Sequence, residues 1–397
     1  MTAAVTEKTV STIKLGADIN VTSTIGIRRT VNLDLNDHVL RMTGDGNVIE
    51  VGNGGDLTLV DDAQTKTPKY FDRGDNGLWT LRTDDTETEY TITGGVITGG
   101  KSKTAAGYRT GGGVDVYGGT FTMTDGNIVG CTAMAGGGVY LSNNSFTMTG
   151  GSIVGCVATG DAHLGSSGGG VCAEDGTFII NGGSIVDCTA DDSRSEALYL
   201  GDRVNSTISI SGGEFHDMLT NYGTIEGGAF YDEVINRGTI RNGTFDGAVT
   251  NVYDGTISGG TFNGELTNHG TIADSAYVTV TITVKPDAGY EIDKVTVTDS
   301  KGNSIALSDK GDGKFSFVMP DSKVDVKATF VKSEVKPDQP SKTAFVDVPE
   351  NSWYADAADF VAQRGLMSGV GENLFGGGQN TTRAMLMTLL ARMDGQD

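Results

Sequence analysis

Proline fills only 6 of 397 positions and cysteine only 4, and 29 Lys and Arg face 51 Asp and Glu. So little proline excludes collagen and proline-rich disorder. Four cysteines in so long a chain, with no C-x-x-C pair, give neither a disulfide framework nor a zinc or redox pattern. The net charge of −22 repels phosphate backbones and anionic lipid surfaces, so nucleic acid is excluded as a partner. No run approaches eighteen consecutive apolar residues, so no membrane-spanning helix is expected. The opening MTAAVTEKTV lacks a basic segment followed by an apolar one, which leaves either a trimmed signal peptide or a cytosolic protein. What the chain has in excess is glycine, 60 residues, roughly twice the usual share of about 7%.

The glycines punctuate an internal repeat. GGGVDVYGGTFTMTDGNIVGC, GGGVYLSNNSFTMTGGSIVGC and GGGVCAEDGTFIINGGSIVDC align without gaps over 21 positions from Gly111, Gly136 and Gly168. Val114, Val139 and Val171 form one series, Phe121, Phe146 and Phe178 a second, and Ile128, Ile153 and Ile185 a third, each followed by Cys131, Cys156 and Cys188. The repeats are spaced by 25 and then 32 residues, with the extra length between Cys156 and Gly168, as for a fixed coil carrying a variable loop. Tyr90, Ile92 and Ile97 upstream, and Ile208, Ile210 and Phe215 downstream, keep the same offsets. Shorter units begin at Asn221, Asn236, Asn251 and Asn268, and these asparagines are either a ladder of stacked amides or solvated loop residues. The segment from Ser11 to Met42, with GNVIEV and GDLTLV after it, reads as earlier, less regular coils behind an N-terminal cap.

Three short strands per unit, glycine at the corners and recurring residues at one position fit a parallel β-helix over residues 1–276, in which each coil buries its apolar residues against its neighbours. The three cysteines in the series read as small buried fillers, since neighbouring strands about 4.8 Å apart do not suit a disulfide. Cys172, in the position of Asp115 and Tyr140, alternates to the outside.

From Tyr277 the period changes to two, in VTVTITV, KVTVTDS, KFSFVM and KVDVKATF, predicting a small antiparallel β domain over 277–332. Val278, Val280, Ile282 and Val284 line one face, as do Val324, Val326, Ala328 and Phe330, with turns at PDAGY and SDKGDG. Gly289, Tyr290, Met319 and Pro320 resemble the InlB B-repeat-like surface modules, which implies a cap and spacer. SEVKPDQPSK, residues 333–342, reads as a linker.

Residues 343–397 turn helical, with Trp353, Tyr354, Ala357, Ala358 and Val361 on one face, Gly365 as a stop, and a second helix after Thr381 burying Leu386, Leu389, Leu390 and Met393. Phe345, Asp347, Val348, Trp353, Tyr354, Gly365, Gly369, Phe375 and the run Thr382, Arg383, Ala384 closely resemble an S-layer homology (SLH) module. Met385 stands where that family usually has Glu or Gln. The resemblance implies a short helical module, export, and non-covalent attachment to anionic secondary cell-wall polysaccharide. In that reading Arg383 pairs with a polymer carboxylate, Trp353 offers a platform to a sugar face, and Asp347 and Trp353 serve either binding or the fold.

Two catalytic patterns fail on context. Gly95, Gly100, Lys101 and Ser102 satisfy the phosphate-loop spacing, but the same GGxI run recurs without lysine and no helical pattern follows. Gly165, Ser167 and Gly169 satisfy G-x-S-x-G, but in a loop that leads into a strand. Asp61 with Asp62, Asp84 with Asp85, and Asp191 with Asp192 are adjacent pairs that a strand would point to opposite faces, against the fixed separation glycosidic chemistry needs. Asp72 and Asp75 lack a complete calcium loop.

The expected protein is therefore mainly β, a parallel β-helix solenoid followed by a small antiparallel β domain and a short helical SLH module. It is expected to be a cell-wall-associated, extracellular, structural or adhesive surface protein, without enzymatic activity, cofactor or metal. Host or environmental glycans or proteins, and self-association, stand as further partners. The alternative is a wall-anchored polysaccharide lyase or glycoside hydrolase, classes common on β-helices, acting on the outer coil face and the 157–167 insertion.

Overall fold

The computed structural model describes all residues except 1–10, 85, 103–109, 161–167, 191–196, 201–206, 274–277, 321, 333–344, 350–351, 365, 372 and 394–397. The linker, the G-x-S-x-G serine, Asp85, Asp191, Asp192, Gly365 and any N-terminal cap within residues 1–10 lie outside the described residues. The chain divides into two compact units, residues 1–285 with 294–328, and residues 286–293 with 329–397.

The first unit is a stack of coils with three walls of hydrogen-bonded parallel strands. Wall 1 runs from Thr12–Lys14 through Thr120–Met123, Asn144–Met148 and Gly176–Ile180 to Thr271–Ile272. Wall 2 includes Val39–Met42, Val96–Thr98, Asn127–Val129, Ser152–Val154 and Ser184–Val186, and wall 3 includes Ile49–Val51, Val114–Val116, Val139–Leu141 and Val171–Ala173. The repeated residues are direct register partners: Val114 with Val139 and Val139 with Val171, Phe121 with Phe146 and Phe146 with Phe178, Ile128 with Ile153 and Ile153 with Ile185. All nine are buried in one continuous core. No coil has an inside of its own, so each contributes one layer and takes the next layer as its solvent-excluding partner.

The coil narrows after Phe215, and the core adapts in a definite way. Ile225 follows Asn221 by four positions, where Met123 follows Val116 by seven, so the wall 1 position held by Phe121 is lost. The aromatic column moves across to wall 2, where Phe215, Phe230, Phe245 and Phe262 stack with ring centroids 4.8 Å apart and planes within 7–8°. One Phe thus lies in each of these layers on either side of the change. The vacated corner is filled by Asn221, Asn236 and Asn251, all fully buried. Asn221 Nδ2 donates to Asn236 Oδ1 at 2.8 Å, Asn236 Nδ2 to Asn251 Oδ1 at 2.7 Å, and Asn251 Nδ2 to Asn268 Oδ1 at 2.7 Å. Asn221, Asn236 and Asn251 therefore form a buried amide ladder, not solvated loop residues, and Asn268 closes it at an exposed position.

Cys131, Cys156 and Cys188 are free, buried fillers next to a short fourth sheet of Thr132–Ala133, Val157–Ala158 and Thr189–Ala190. Burial pushes the Cys188 thiol above its ordinary value.

Three expectations for this unit are corrected. Tyr90 and Ile92 do not continue the coil, because the upstream register partner of Phe121 is Leu57. They belong to an insertion in which Pro68–Arg73, Trp79–Leu81 and Thr91–Thr93 make an antiparallel sheet, and it packs Phe71 and Trp79 on the outer face of wall 2 against Val39, Val96, Val129 and Val154. Glycine makes that approach possible, since a Cβ on Gly130 would lie 1.7 Å from the Trp79 carbonyl oxygen. Cys172 does point outward, yet it is fully buried in a cluster with Ala135 and Tyr140, so alternation gives its direction and not its exposure. Finally, Ser308–Gly311 is a strand, and the turn is the two-residue Asp312-Gly313 link to Lys314–Val318. Both of its residues have positive φ, 50° and 73°, as the hairpin turn matched to strand twist requires.

The β segments beyond residue 277 form as the period-two pattern predicts. Val278–Thr283 pairs in parallel with Gly260–Phe262 and antiparallel with Lys314–Val318, so Val278 closes the last layer of the core. A second small sheet orders Ser304–Ile305, Tyr290–Asp299 and Val324–Lys332. The expected apolar face of Val324–Lys332 is not sealed: Val324 and Ala328 are half-buried while Val326 and Phe330 stand exposed.

Candidate functional site

The second unit carries the helices α1 (Ala355–Gln363) and α2 (Arg383–Met393). Half-buried Tyr354 and Val361 flank fully buried Ala358, the i, i+4, i+7 spacing of one helical face. Trp353 and Ala357, expected on that face, are exposed instead, because they lie one position round the helix from Tyr354 and Ala358. The Tyr354 ring stacks on Phe375 at 6.3 Å, and Phe375 meets Phe345 at 5.4 Å.

Asp347 sits under this aromatic group. Its two carboxylate oxygens accept from the backbone N–H of Phe375 at 2.7 Å and of Gly376 at 2.8 Å. These bonds favour the ionised form and lower its pKa. With both oxygens turned to the backbone, Asp347 is a fold-building residue that fixes the loop before α2. Gly369 (φ 82°) and Gly376 (φ 76°) allow the bends of that loop, and a Cβ on Gly369 would meet the Leu374 carbonyl at 2.3 Å.

Trp353 is 95% exposed, touching the edge of Tyr354 at 5.6 Å and offering an open face. Arg383 is the first residue of α2 and is exposed, and among the described residues it has no ion-pair partner. A cation at that end opposes the helix dipole, no acidic residue in the first turn offsets it, and the Thr382 hydroxyl caps the Met385 N–H at 3.2 Å. Its charge is therefore not there for the helix.

A concavity of about 470 Å³ lies beside α2, bordered by Phe375, Gly376, Gln379, Asn380, Thr381 and Met385. Asp347 shapes its rim through Gly376, whereas Trp353 and Arg383 are not part of its wall. Motif reading passes over Gln379 and Asn380; the available signal is the polar, glycine-led run GGGQNT. Of the expected buried side of α2, Leu386 and Leu390 are corrected, being about half exposed, while the side chains of Leu389 and Met393 lie outside the described residues.

Residues 344–384 match the family model of the S-layer homology domain. The match spans Asp347, Trp353 and Arg383. Residues 248–334 match that of the divergent InlB B-repeat domain, a span that starts within the last coils. No curated protein and no solved structure matches the chain. The S-layer homology domain marks a cell-surface protein held at the cell wall, and such domains bind cell-wall polysaccharide. No described helix is long and apolar enough to cross a membrane.

The catalytic patterns find no support in the geometry. The backbone N–H groups of the phosphate-loop match are engaged, Gly95 with Asp61 Oδ2, Lys101 with the Gly46 carbonyl and Ser102 with the Thr132 carbonyl. Asp61 is buried and also accepts from the Asp37 N–H at 2.6 Å, and Asp72 and Asp84 are both ion-paired with Arg82.

Proposed function

We propose that this chain is a non-enzymatic, structural or adhesive surface protein whose SLH domain holds anionic secondary cell-wall polysaccharide non-covalently, through Arg383 and Trp353. The observation that carries this reading is Arg383: an exposed cation without an ion-pair partner among the described residues, placed where helix electrostatics disfavour it, inside a domain whose relatives bind wall polymer. A guanidinium presents a planar fork of donors suited to carboxylate. The open Trp353 ring supplies an apolar platform of the kind a sugar face covers. Asp347 acts by holding the loop.

The β-helix supports a passive role by the same reasoning. Its interior is filled, and of the acid pairs singled out above Asp61 is bound to backbone N–H groups while Asp72 and Asp84 are paired with Arg82, which fits a stalk rather than a paired acid and base.

Sedimentation with purified wall polymer tests the anchor. The full chain is expected to be retained, a chain ending at Val331 to stay in solution, and Arg383→Ala and Trp353→Ala each to weaken retention about tenfold, the scale of one charge-assisted hydrogen bond. Equal retention of all four proteins refutes the assignment.

A further inference from the structure

A second site lies on the first unit, under the edge of the Pro68–Thr93 insertion. Where the insertion ends its cover of wall 2, it leaves a cavity of about 190 Å³ bordered by Arg41, Thr98 and Lys101 from the coils and Trp79 and Thr80 from the insertion. Arg41 and Thr98 are register partners on adjacent strands, both on the outer side of wall 2. Lys101 lies three residues after the strand Val96–Thr98, held in place by backbone bonds to Gly46.

Three observations converge on one ligand chemistry. First, this wall holds two cations and no carboxylate, in a chain whose acids outnumber its bases by 51 to 29. Among the described residues neither Arg41 nor Lys101 has a side-chain ion pair, although Lys69, Arg73 and Arg82 of the insertion, and Lys66 just before it, are all paired. Second, Trp79 is 7% exposed, and its indole N–H is buried with no acceptor among the described residues, a costly state for a donor unless something else accepts. Third, the volume exceeds the 150 Å³ or so that encloses a benzene ring, so the space suits a small group and not an extended polymer.

We propose that this cavity is an anion-binding site for a carboxylate or phosphate group carried on nothing larger than a single sugar ring. Arg41 and Lys101 neutralise the charge, the Thr98 hydroxyl is at hand from the floor, and Trp79 supplies both a hydrogen-bond donor and a ring wall. The lysine of the phosphate-loop pattern thus meets an anion through its side chain, while its backbone stays in the coil.

The chain has two tryptophans, so full-length Trp353→Phe leaves Trp79 as the sole indole reporter. Its fluorescence is titrated with inorganic phosphate, glucuronate and glucose. A saturable change with phosphate or glucuronate, weakened about tenfold by Arg41→Gln and by Lys101→Gln and weakened further by added salt, supports the site. Preference for glucuronate assigns it to an acidic sugar unit, and preference for phosphate to a phosphoryl group. Both substitutions are at partly or fully exposed side chains, and unchanged circular dichroism verifies the fold of each variant. No response to either anion, an equal response to glucose, or responses unaltered in both variants overturns the proposal.

Discussion

Substituting Asn236 by alanine removes the centre of the amide ladder. Its Nδ2 donates to Asn251 Oδ1 at 2.7 Å and to the carbonyls of Gly238 and Thr256 at 3.3 Å, and its Oδ1 accepts from Asn221 at 2.8 Å. Asn221 keeps its contact with the Gly223 carbonyl, but Asn251 Oδ1 loses this donor inside the core. Two hydrogen bonds at about 1 kcal/mol each and a buried acceptor left bare at about 1–3 kcal/mol give a loss of about 3–5 kcal/mol. Asn268→Ala, at the exposed end of the ladder, costs about 1 kcal/mol or less by the same reasoning. Asn236→Leu, which copies the residue at the equivalent position of the wider coil, Leu200, restores apolar bulk and still leaves the amides unpaired. Urea unfolding followed by far-ultraviolet circular dichroism gives the midpoints, and hydrogen exchange at Asn236 and Gly238 reports local opening if the coils unfold in stages. Equal, small shifts for Asn236→Ala and Asn268→Ala would refute the claim that the ladder holds the narrow coils together.

Other outcomes follow from the same physics. Asp115, buried and facing Glu50 and Asn47, has its pKa raised to about 7, first by desolvation and then by Glu50. Because the folded value lies above the unfolded 3.8, the stability of the protonated form is complete below about pH 4 and lost as pH rises through 7. Asp115→Asn is therefore expected to stabilise the chain at pH 8, on the order of 3 kcal/mol, with no gain at pH 4, as measured by urea midpoints. Phe245→Ala opens a gap in the stacked column and is expected to cost about 3–5 kcal/mol, against about 1 kcal/mol for a volume-sparing Phe245→Leu. For Asp347 the folded pKa lies below 3.8, so the stability from its bonds to Phe375 and Gly376 is complete above 3.8 and is lost as pH falls through the lower, folded value. Asp347→Ala should loosen the Gly369–Gly376 loop in hydrogen exchange before it alters polymer retention.

The phenylalanine, isoleucine and cysteine series of the three 21-residue repeats were legible because stacking is a nearest-neighbour relation: the residue that covers Phe121 is the one that takes its place a coil later. The S-layer homology residues were legible through their spacing. Harder to read were Tyr90 and Ile92, whose offsets fit the coil by coincidence while their backbone pairs antiparallel with Pro68–Arg73. Arg383 was singled out by motif, but its electrostatic isolation needed the helix start to be located. Gln379 and Asn380 carry no periodic signal at all.

Sequence by itself determined the order of the coils, their register, the point where they narrow and the change to period two, since each of these is written in recurring residues at fixed distances along the chain. Tertiary structure alone decided which outward positions are covered. Cys172 is covered by its neighbours on adjacent coils, Tyr140 and Tyr199, whose bulk spacing does not reveal; the apolar seat of Trp79 and the pocket between Arg41 and Lys101 arise where an insertion without a repeat lies against the coil exterior. Those contacts join residues far apart in the chain and occur once, so no pattern of spacing announces them.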